Sequence, residues 1–313
     1  MKQYFATFPA GTFDIISKRL KSFTLDEVKI VDSDNSSVLF QSSLQSERLI
    51  EVRYFTNIYQ IVPQDSKNTK LLLNGKFFRL MLIRNGEPSQ LDEPTRNKLQ
   101  SHIVESFGLK PNTHLSRNDF YIIERQSGNR LFTLRLPRAK FKREKTANGE
   151  LRPELAHILC LVANLKAKHT ALDMFCGYSS IPVEAVRGFG CKNIIASDIT
   201  EHKPKHDYDV IRHYKADARN LDFIKNDSID RVITDPPWGL FDQSIGDIIS
   251  LYTDTINEIV RILKLNGIAV ILSGGEASEL FEKNKSLKLI GKWNVLVSGK
   301  KATIYKLQKI RVK

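Results

Sequence analysis

Short apolar runs alternate with amphipathic segments from Pro153 to the end of the chain. Helices are predicted where apolar residues recur every three or four positions, and strands where apolar residues follow one another. The elements run in the order helix from Pro153, strand 171–176, helix from Ile181, strands 193–198 and 232–235, helix 252–263 and strand 268–273. Repeated strand–helix units are typical of a parallel sheet with helices on both faces. Two last strands, 293–297 and 302–307, predict an antiparallel hairpin added to that sheet.

The pattern before Pro153 is different, because strand-like segments dominate and helical periodicity is rare. A helix is expected to start near Phe13 and a second one to cover 93–107. Strands are predicted at 5–8, 38–40, 48–52, 57–62, 76–83, 119–124 and 130–135. The last two strands flank a polar turn and predict a hairpin. A small α+β domain is therefore expected, and the polar segment 137–151 marks its end.

The composition of the chain predicts its cellular compartment and the class of partner that it binds. The 313 residues contain no uninterrupted apolar run of the roughly 18–20 residues that a membrane span requires, and no cleavable leader is recognisable, so a cytoplasmic protein is expected. The three cysteines have neither disulfide-framework nor zinc-site spacing. The net charge of +13 divides into +8 for residues 1–150 and +5 for the remainder. A basic surface of this kind attracts polyphosphate, although a solvated surface would show the same charge.

Polar signals follow three of the predicted strands. Asp173-Met174-Phe175-Cys176-Gly177 runs from a strand into a small-residue turn before a helix. Asp198 ends the next strand, and Asp217-Ala218 follows a third. In α/β sheets ligands bind at the carboxyl ends of strands, where a glycine turn leaves amides free and acids accept hydrogen bonds from ribose hydroxyls or from an adenine amine. The ordered set predicts a nucleoside cofactor, and no GxGxxG sequence supports a dehydrogenase.

The most specific signal is Asp235-Pro236-Pro237-Trp238 after the strand 232–235. Prolines have no amide hydrogen, so the backbone carbonyls and the Asp235 carboxylate present only acceptors. Such a surface suits an aromatic amine, whose lone pair becomes available when its hydrogens are bound by acceptors. Trp238 offers a flat face on which a base can stack, and Phe or Tyr is expected to replace it. We predict methyl transfer to an exocyclic amine, with these four residues as the catalytic tetrapeptide.

These residues resemble the THUMP-domain class of RNA guanine-N2 methyltransferases. The resemblance rests on Asp173, on Phe175-Cys176-Gly177, on Glu184-Ala185 and on Leu151-Arg152-Pro153-Glu154-Leu155-Ala156, together with Phe5-Ala6-Thr7 and Gly11 near the N-terminus. It implies S-adenosylmethionine as cofactor, tRNA as substrate, and a Rossmann-like class I methyltransferase domain. The chain departs from the family pattern at Met174, Ser179 and Trp238. Ser179 stands where the family has a second glycine, and its side chain would crowd the cofactor if the backbone there requires a positive φ.

The resemblance also implies the domain order. We expect a ferredoxin-like subdomain at 1–66, a THUMP-like RNA-binding domain at 67–137, a linker at 138–152 and the methyltransferase domain at 153–313, in a monomeric protein without a metal. His202 and His206 have a spacing seen in metal sites, but no third ligand accompanies them. Alternatives left open are a non-catalytic RNA-binding protein with a degenerate cofactor site, and an amino-methyltransferase acting on rRNA, on adenine N6 or on protein.

Overall fold

The computed structural model describes residues 1–22, 27–63, 71–125, 128–137, 149–201, 206, 208–238, 248–274 and 278–311. Outside these ranges lie His202, the first two residues of the predicted turn 126–129, and residues 138–148 of the predicted linker with their basic side chains. Two compact units are present. One contains Met1–Phe8 and Arg19–Lys142, and the other contains Pro9–Lys18 and Arg143–Lys313.

The N-terminal part of the chain forms one sheet with three helices. Its elements are β1 (Lys2–Thr7), α1 (Phe13–Lys21), β2 (Val28–Ser33), β3 (Ser37–Ser42), α2 (Ser46–Leu49), β4 (Asn57–Ile61), β5 (Phe77–Arg84), β6 (Glu87–Ser89), α3 (Glu93–Phe107), β7 (Lys110–Pro111), β8 (Asn118–Glu124) and β9 (Arg130–Arg135). The strand order is β2-β3-β1-β4-β9-β8-β5-β6, with β7 beside β5. Antiparallel pairing of β4 with β9 joins the strands of the predicted subdomains 1–66 and 67–137 into this single sheet.

The strand predicted at 48–52 is wrong, because the chain forms the short helix α2 there instead. Ser46 and Leu49 are both buried and lie three positions apart, which places them on one side of a helical turn. The Ser46 hydroxyl lies 3.2 Å from the Tyr4 hydroxyl. This turn therefore has a tertiary hydrogen bond, which the local sequence cannot predict. The expected hairpin of β8 and β9 is confirmed by their antiparallel register.

The segment Pro9–Lys18 belongs to the second unit, in contrast to its predicted place within a subdomain 1–66. The Leu296 amide donates to the Ala10 carbonyl at 3.1 Å. Gly11 has φ +89°, and a Cβ there would lie 1.9 Å from the Asn294 carbonyl oxygen. Only glycine therefore permits this close backbone approach.

The second unit contains a seven-stranded sheet. After α4 (Pro153–Val162), the elements are β10 (Thr170–Asp173), α5 (Ser180–Phe189), β11 (Asn193–Asp198), β12 (Ile211–Lys215), β13 (Ile229–Thr234), α6 (Ile248–Ile262), β14 (Leu263–Ser273), α7 (Ser278–Glu282), β15 (Leu287–Val297) and β16 (Lys300–Lys309). The strand order is β12-β11-β10-β13-β14-β16-β15. The first five strands are parallel, and β16 and β15 are antiparallel to their neighbours.

This topology confirms the predicted Rossmann-like α/β domain with an antiparallel C-terminal hairpin. The hairpin turn has φ 50° at Ser298 and φ 81° at Gly299, the two positive angles that a tight two-residue turn between antiparallel strands requires. A core of aliphatic side chains from β10, β13, β14 and α6 fills one side of the sheet. In the described part of the chain, no helix combines the length and hydrophobicity of a membrane span.

Candidate active site

The direction of chain connection reverses at β10, which pairs with β11 on one side and with β13 on the other. Ligands of open α/β sheets bind at the carboxyl edge beside such a switch point. Asp173 ends β10, Asp198 ends β11, and Asp235 directly follows β13. The fold therefore brings three of the predicted acids to one edge of the sheet, and Asp217 follows the edge strand β12 there.

The predicted glycine turn is fastened to the end of β11. The Gly177 amide donates to Asp198 Oδ2 at 2.9 Å, and the Thr200 amide donates to Asp198 Oδ1 at 2.9 Å. The Cys176 amide donates to the Ser197 carbonyl at 3.0 Å. A carboxylate has about four acceptor positions, so Asp198 keeps lone pairs for ligand hydroxyls while it orders the turn.

Ser179 closes the same turn in the left-handed region, with φ 67° and ψ 30°. Its amide donates to the Cys176 carbonyl at 2.7 Å. The backbone thus has the positive φ that was the condition for crowding of the cofactor. Only 1% of Ser179 is exposed, so its side chain is enclosed by protein and does not line the open edge of the sheet.

Asp173 is buried beneath this edge. The Thr234 hydroxyl donates to Asp173 Oδ1 at 2.7 Å, which ties the end of β10 to the end of β13. The Phe175 amide approaches the same oxygen at 3.3 Å. Burial raises the pKa of Asp173 to about 8, and the negative charges of Asp235 and Asp198 act in the same direction.

Asp235 is partly accessible at the surface but is surrounded by protein atoms on most sides. Burial raises the pKa of Asp235 to about 7, against the effect of a hydrogen bond from Trp238, which lowers it. That bond joins the indole Nε1 to Asp235 Oδ1 over 3.0 Å. Within the tetrapeptide, Trp238 therefore donates a hydrogen bond to the Asp235 carboxylate.

Two residues that the sequence did not single out hold the second proline. The Tyr252 hydroxyl of α6 donates to the Pro237 carbonyl at 3.1 Å. The Ser273 hydroxyl at the end of β14 donates to the Tyr252 hydroxyl at 2.9 Å. The Pro237 carbonyl is therefore engaged within the protein.

Asp217 lies at the far end of the site and is already paired. Arg219 donates to it from its backbone amide at 2.9 Å and from Nη2 at 2.6 Å, and these bonds lower the pKa of Asp217. Ala218 is buried in the hydrophobic core. An open cavity of about 510 Å³ adjoins this pair and is lined also by Asn220, Asp254, Asn257, Glu258 and Arg261.

Polar side chains of α4, of α5 and of the segment just before α4 contact one another, and α5 directly follows the glycine turn. The Ser180 hydroxyl at the start of α5 lies 3.5 Å from a carboxylate oxygen of Glu150. Glu154 and Glu184 are buried, and His157 Nδ1 lies 3.3 Å from Glu184 Oε2. Within the described ranges no group of three or more His, Cys, Asp and Glu side chains could hold a metal ion.

Residues 206–302 match the sequence family described as RMKL-like, methyltransferase domain. The similarity to that family is therefore established for this part of the chain alone. The matched residues include the tetrapeptide, Asp217 and the helix α6 that carries Tyr252. They cover less than a third of the chain, and the glycine turn lies outside them.

A curated relative and three solved structures are also similar to the chain. A tRNA (guanine(10)-N2)-dimethyltransferase of Methanothermobacter thermautotrophicus is 28% identical over 107 residues, which are 32% of this chain and 31% of the relative. TrmN from Thermus thermophilus superposes with a TM-score of 0.75 at 19% identity, over 99% of this chain and all of that one. SMU.472 complexed with SAH gives 0.72 at 14% identity, with 100% and 99% covered. A possible methylase from Clostridium difficile gives 0.67 at 12% identity, with 99% and 98% covered.

The predicted resemblance to tRNA guanine-N2 methyltransferases is thereby confirmed, and the fold is shared over nearly the whole chain. The chain spans about a third of the length of the curated relative that it matches. Neither that match nor the family description mentions a THUMP domain, so the assignment of 67–137 as THUMP-like stays a prediction. The roles of the individual site residues stay predictions as well.

Proposed function

We propose that this protein is an S-adenosylmethionine-dependent RNA methyltransferase that methylates the exocyclic N2 of a guanine in tRNA. The observation that carries the proposal is the position of the tetrapeptide, with its Asp235 and Pro236 acceptors, at the end of β13, beside Asp173 at the switch point. The methyltransferase family match over 206–302 and the name of the curated relative support it.

The residues at the carboxyl edge suit the proposed cofactor. Asp198 has free lone pairs beside the Gly177 amide and accepts ribose hydroxyls. Asp217 accepts the adenine amine and shares it with Arg219. When bound, the cofactor supplies an electrophilic methyl group on a positively charged sulfur. The carboxyl groups at this edge favour that charge when they are ionised.

The protein's contribution to the transfer is positioning. The Asp235 carboxylate and the Pro236 carbonyl accept the two hydrogens of the guanine amine, so the nitrogen lone pair turns away from the ring. With the cofactor bound, the lone pair would accept its methyl group, the sulfur would leave as a neutral thioether, and one amine proton would pass to solvent. Trp238 supports the base through its exposed ring face.

The structure weakens the alternative of a degenerate cofactor site. That alternative rested on Ser179, whose side chain is enclosed by protein. Adenine N6, rRNA and protein amides have amine groups of similar chemistry, and we favour tRNA over them because of the named relative and the basic N-terminal unit.

The N-terminal unit is proposed to bind the RNA. Two acids of β8 are each shared by two arginines, since Asp119 pairs with Arg79 and Arg135, and Glu124 pairs with Arg84 and Arg130. Each group keeps a surplus positive charge, and Arg130 is 67% exposed. Surplus arginine charge on a sheet surface suits phosphate oxygens.

The deciding experiment incubates the protein with methyl-labelled S-adenosylmethionine and unmodified tRNA, and identifies the labelled nucleoside by mass spectrometry. N2-methylguanosine is expected. Asp235→Ala should abolish transfer and leave cofactor affinity nearly unchanged, because the carboxylate contacts the substrate amine. Asp209→Ala, a change at an exposed acid outside the site, is the matched control. Label on adenosine or on protein, or native rates from Asp235→Ala, would refute the proposal.

A further inference from the structure

Trp238 contacts Asp235 through the edge of its indole ring, and this contact differs from the stacking that the sequence predicts. The indole Nε1 donates to Asp235 Oδ1 at 3.0 Å. An indole nitrogen is only a donor. It therefore stabilises the ionised carboxylate, and it cannot accept a hydrogen bond from a protonated oxygen in that position. Among the described residues, no donor other than Trp238 reaches the Asp235 side chain.

The Trp238 side chain packs against the backbone of Gly274, just after β14. A Cβ at Gly274 would lie 3.2 Å from Trp238 Cβ, closer than most side chains permit, and at an ordinary contact distance of 3.6 Å from Cγ. The ring therefore packs where a glycine leaves room. On the other side of the turn, Tyr252 holds the Pro237 carbonyl. The side chain of Trp238 and the backbone of the turn between Asp235 and Trp238 thus both have contacts within the protein.

We infer that Trp238 is a positioning residue for Asp235: its indole N–H engages Oδ1 and leaves Oδ2 as the oxygen that accepts the substrate amine. The inference rests on the proposed function and gives the tryptophan a second task besides stacking. Phe and Tyr keep an aromatic face but have no donor at this place. They are therefore expected to restore base binding without restoring the orientation of the carboxylate.

The same bond bears on the charge of Asp235. Burial favours the neutral carboxyl, and the indole hydrogen bond opposes it. Asp235 also interacts with two further groups, because its negative charge raises the pKa of Asp173 on β10 and the pKa of Tyr252 on α6. Both of the latter are acids, so neither compensates for loss of the indole donor. Removal of the donor should move the ionisation of Asp235 to higher pH.

The first experiment observes the bond directly. The chain has two tryptophans, so ¹⁵N-tryptophan labelling gives two indole N–H signals, and Trp293→Phe assigns the one from Trp238. We expect that signal to shift with pH in one step that is absent from Asp235→Asn. An indole signal that ignores pH, or that titrates equally in Asp235→Asn, would overturn the inference whether or not the protein methylates RNA.

The second experiment measures what the bond does. Incorporation of 3-benzothienylalanine at position 238 replaces the N–H by sulfur and keeps the bicyclic ring. We expect kcat to fall on the order of tenfold, as for loss of a hydrogen bond to a charged group, with KM for RNA little changed and the acid limb of the pH–rate profile displaced upward. Trp238→Phe should behave similarly.

Native kcat and a native pH profile in the benzothienyl variant would show that the ring face alone matters. A native protein that methylates no RNA, with an indole signal that still follows Asp235, would refute the proposed function and leave the hydrogen bond established. The two failures are therefore distinguishable.

Discussion

Asp235 and Asp173 lie at the ends of neighbouring strands, and for both side chains burial disfavours the charged form. Their pKa values are raised to about 7 and about 8. For stability, a raised carboxyl pKa is favourable at low pH and is lost as pH rises towards the folded value, because the folded state then binds more protons than the unfolded state. These acids are retained at a cost in stability, which is typical of functional sites.

The pKa of Asp235 predicts a pH dependence for the proposed reaction. Only the ionised carboxylate accepts the amine with full strength, so kcat/KM should rise as pH increases through about 7. Asp235→Asn should retain part of the activity and lose this limb, because the amide oxygen still accepts but does not titrate. Initial rates from pH 5.5 to 8.5 test both statements. An identical limb in the two proteins would assign the titration to another group.

The left-handed backbone at Ser179 predicts that replacement of this residue by glycine stabilises the folded protein. A left-handed residue with a side chain carries about 1–2 kcal/mol of strain, while glycine adds about 0.5–1 kcal/mol of unfolded-state entropy. Ser179→Gly should therefore raise the free energy of unfolding by up to about 1 kcal/mol and leave cofactor affinity unchanged, since the side chain is enclosed. Urea unfolding and calorimetry measure the two quantities. Ser179→Ala, which keeps the strain, should show no gain, and a gain there would exclude strain as the cause.

The acids of the candidate site could be predicted to share one edge of the sheet because strand ends are visible in the sequence. Asp173, Asp198 and Asp235 follow apolar runs, and the parallel sheet assembles them. Thr234 was within the predicted strand, but its bond to Asp173 depends on which strands are neighbours. Tyr252 has the pattern of a core residue of α6, and its hydroxyl contact appears only in the tertiary structure.

At the scale of elements, β13, α6 and β14 act together on the turn after β13. β13 ends before Asp235, α6 supplies Tyr252, and β14 supplies Ser273. The long parallel elements were predictable because their apolar residues follow the helical or strand period. The short ones, α2 and β7, were not, because tertiary contacts decide their conformation.

Tyr252→Phe should loosen this turn. The change leaves the Pro237 carbonyl without its donor, which costs about 1–3 kcal/mol of unfolding free energy, while the Ser273 hydroxyl keeps its bond to the Gly274 carbonyl. We expect a lower kcat with cofactor affinity retained. Tyr305→Phe is the matched control, because Tyr305 also packs on Phe281 and has no hydroxyl hydrogen bond among the described residues. Equal losses in the two variants would indicate a packing effect.

At the scale of the whole molecule, the charge of +13 is the property that concerns RNA. The logarithm of the binding constant for tRNA should fall linearly with the logarithm of salt concentration. Arg130→Gln with Arg135→Gln leaves each β8 acid one arginine, and should weaken binding and reduce the slope by about 1–2. Fluorescence titration at several salt concentrations measures this.

The control for that experiment is Lys283→Gln, which removes an exposed charge from the second unit. An unchanged salt-dependence slope in the double arginine variant, or an equal change in the control, would contradict the proposal that the first unit binds RNA. Point variants are preferable to a fragment starting near residue 140. Such a fragment would lack Pro9–Lys18, which belongs to the second unit.

The place of Pro9–Lys18 also determines the order in which the two units are completed during protein synthesis. Ala10 leaves the ribosome long before its partner Leu296. The first unit has all of its strands by Arg135 and is able to fold while translation continues. The second unit is completed only when β15 emerges, because Ala10 cannot pair with Leu296 before then. The proposed catalytic unit is therefore completed after the first unit, although its segment Pro9–Lys18 is made before most of the first unit.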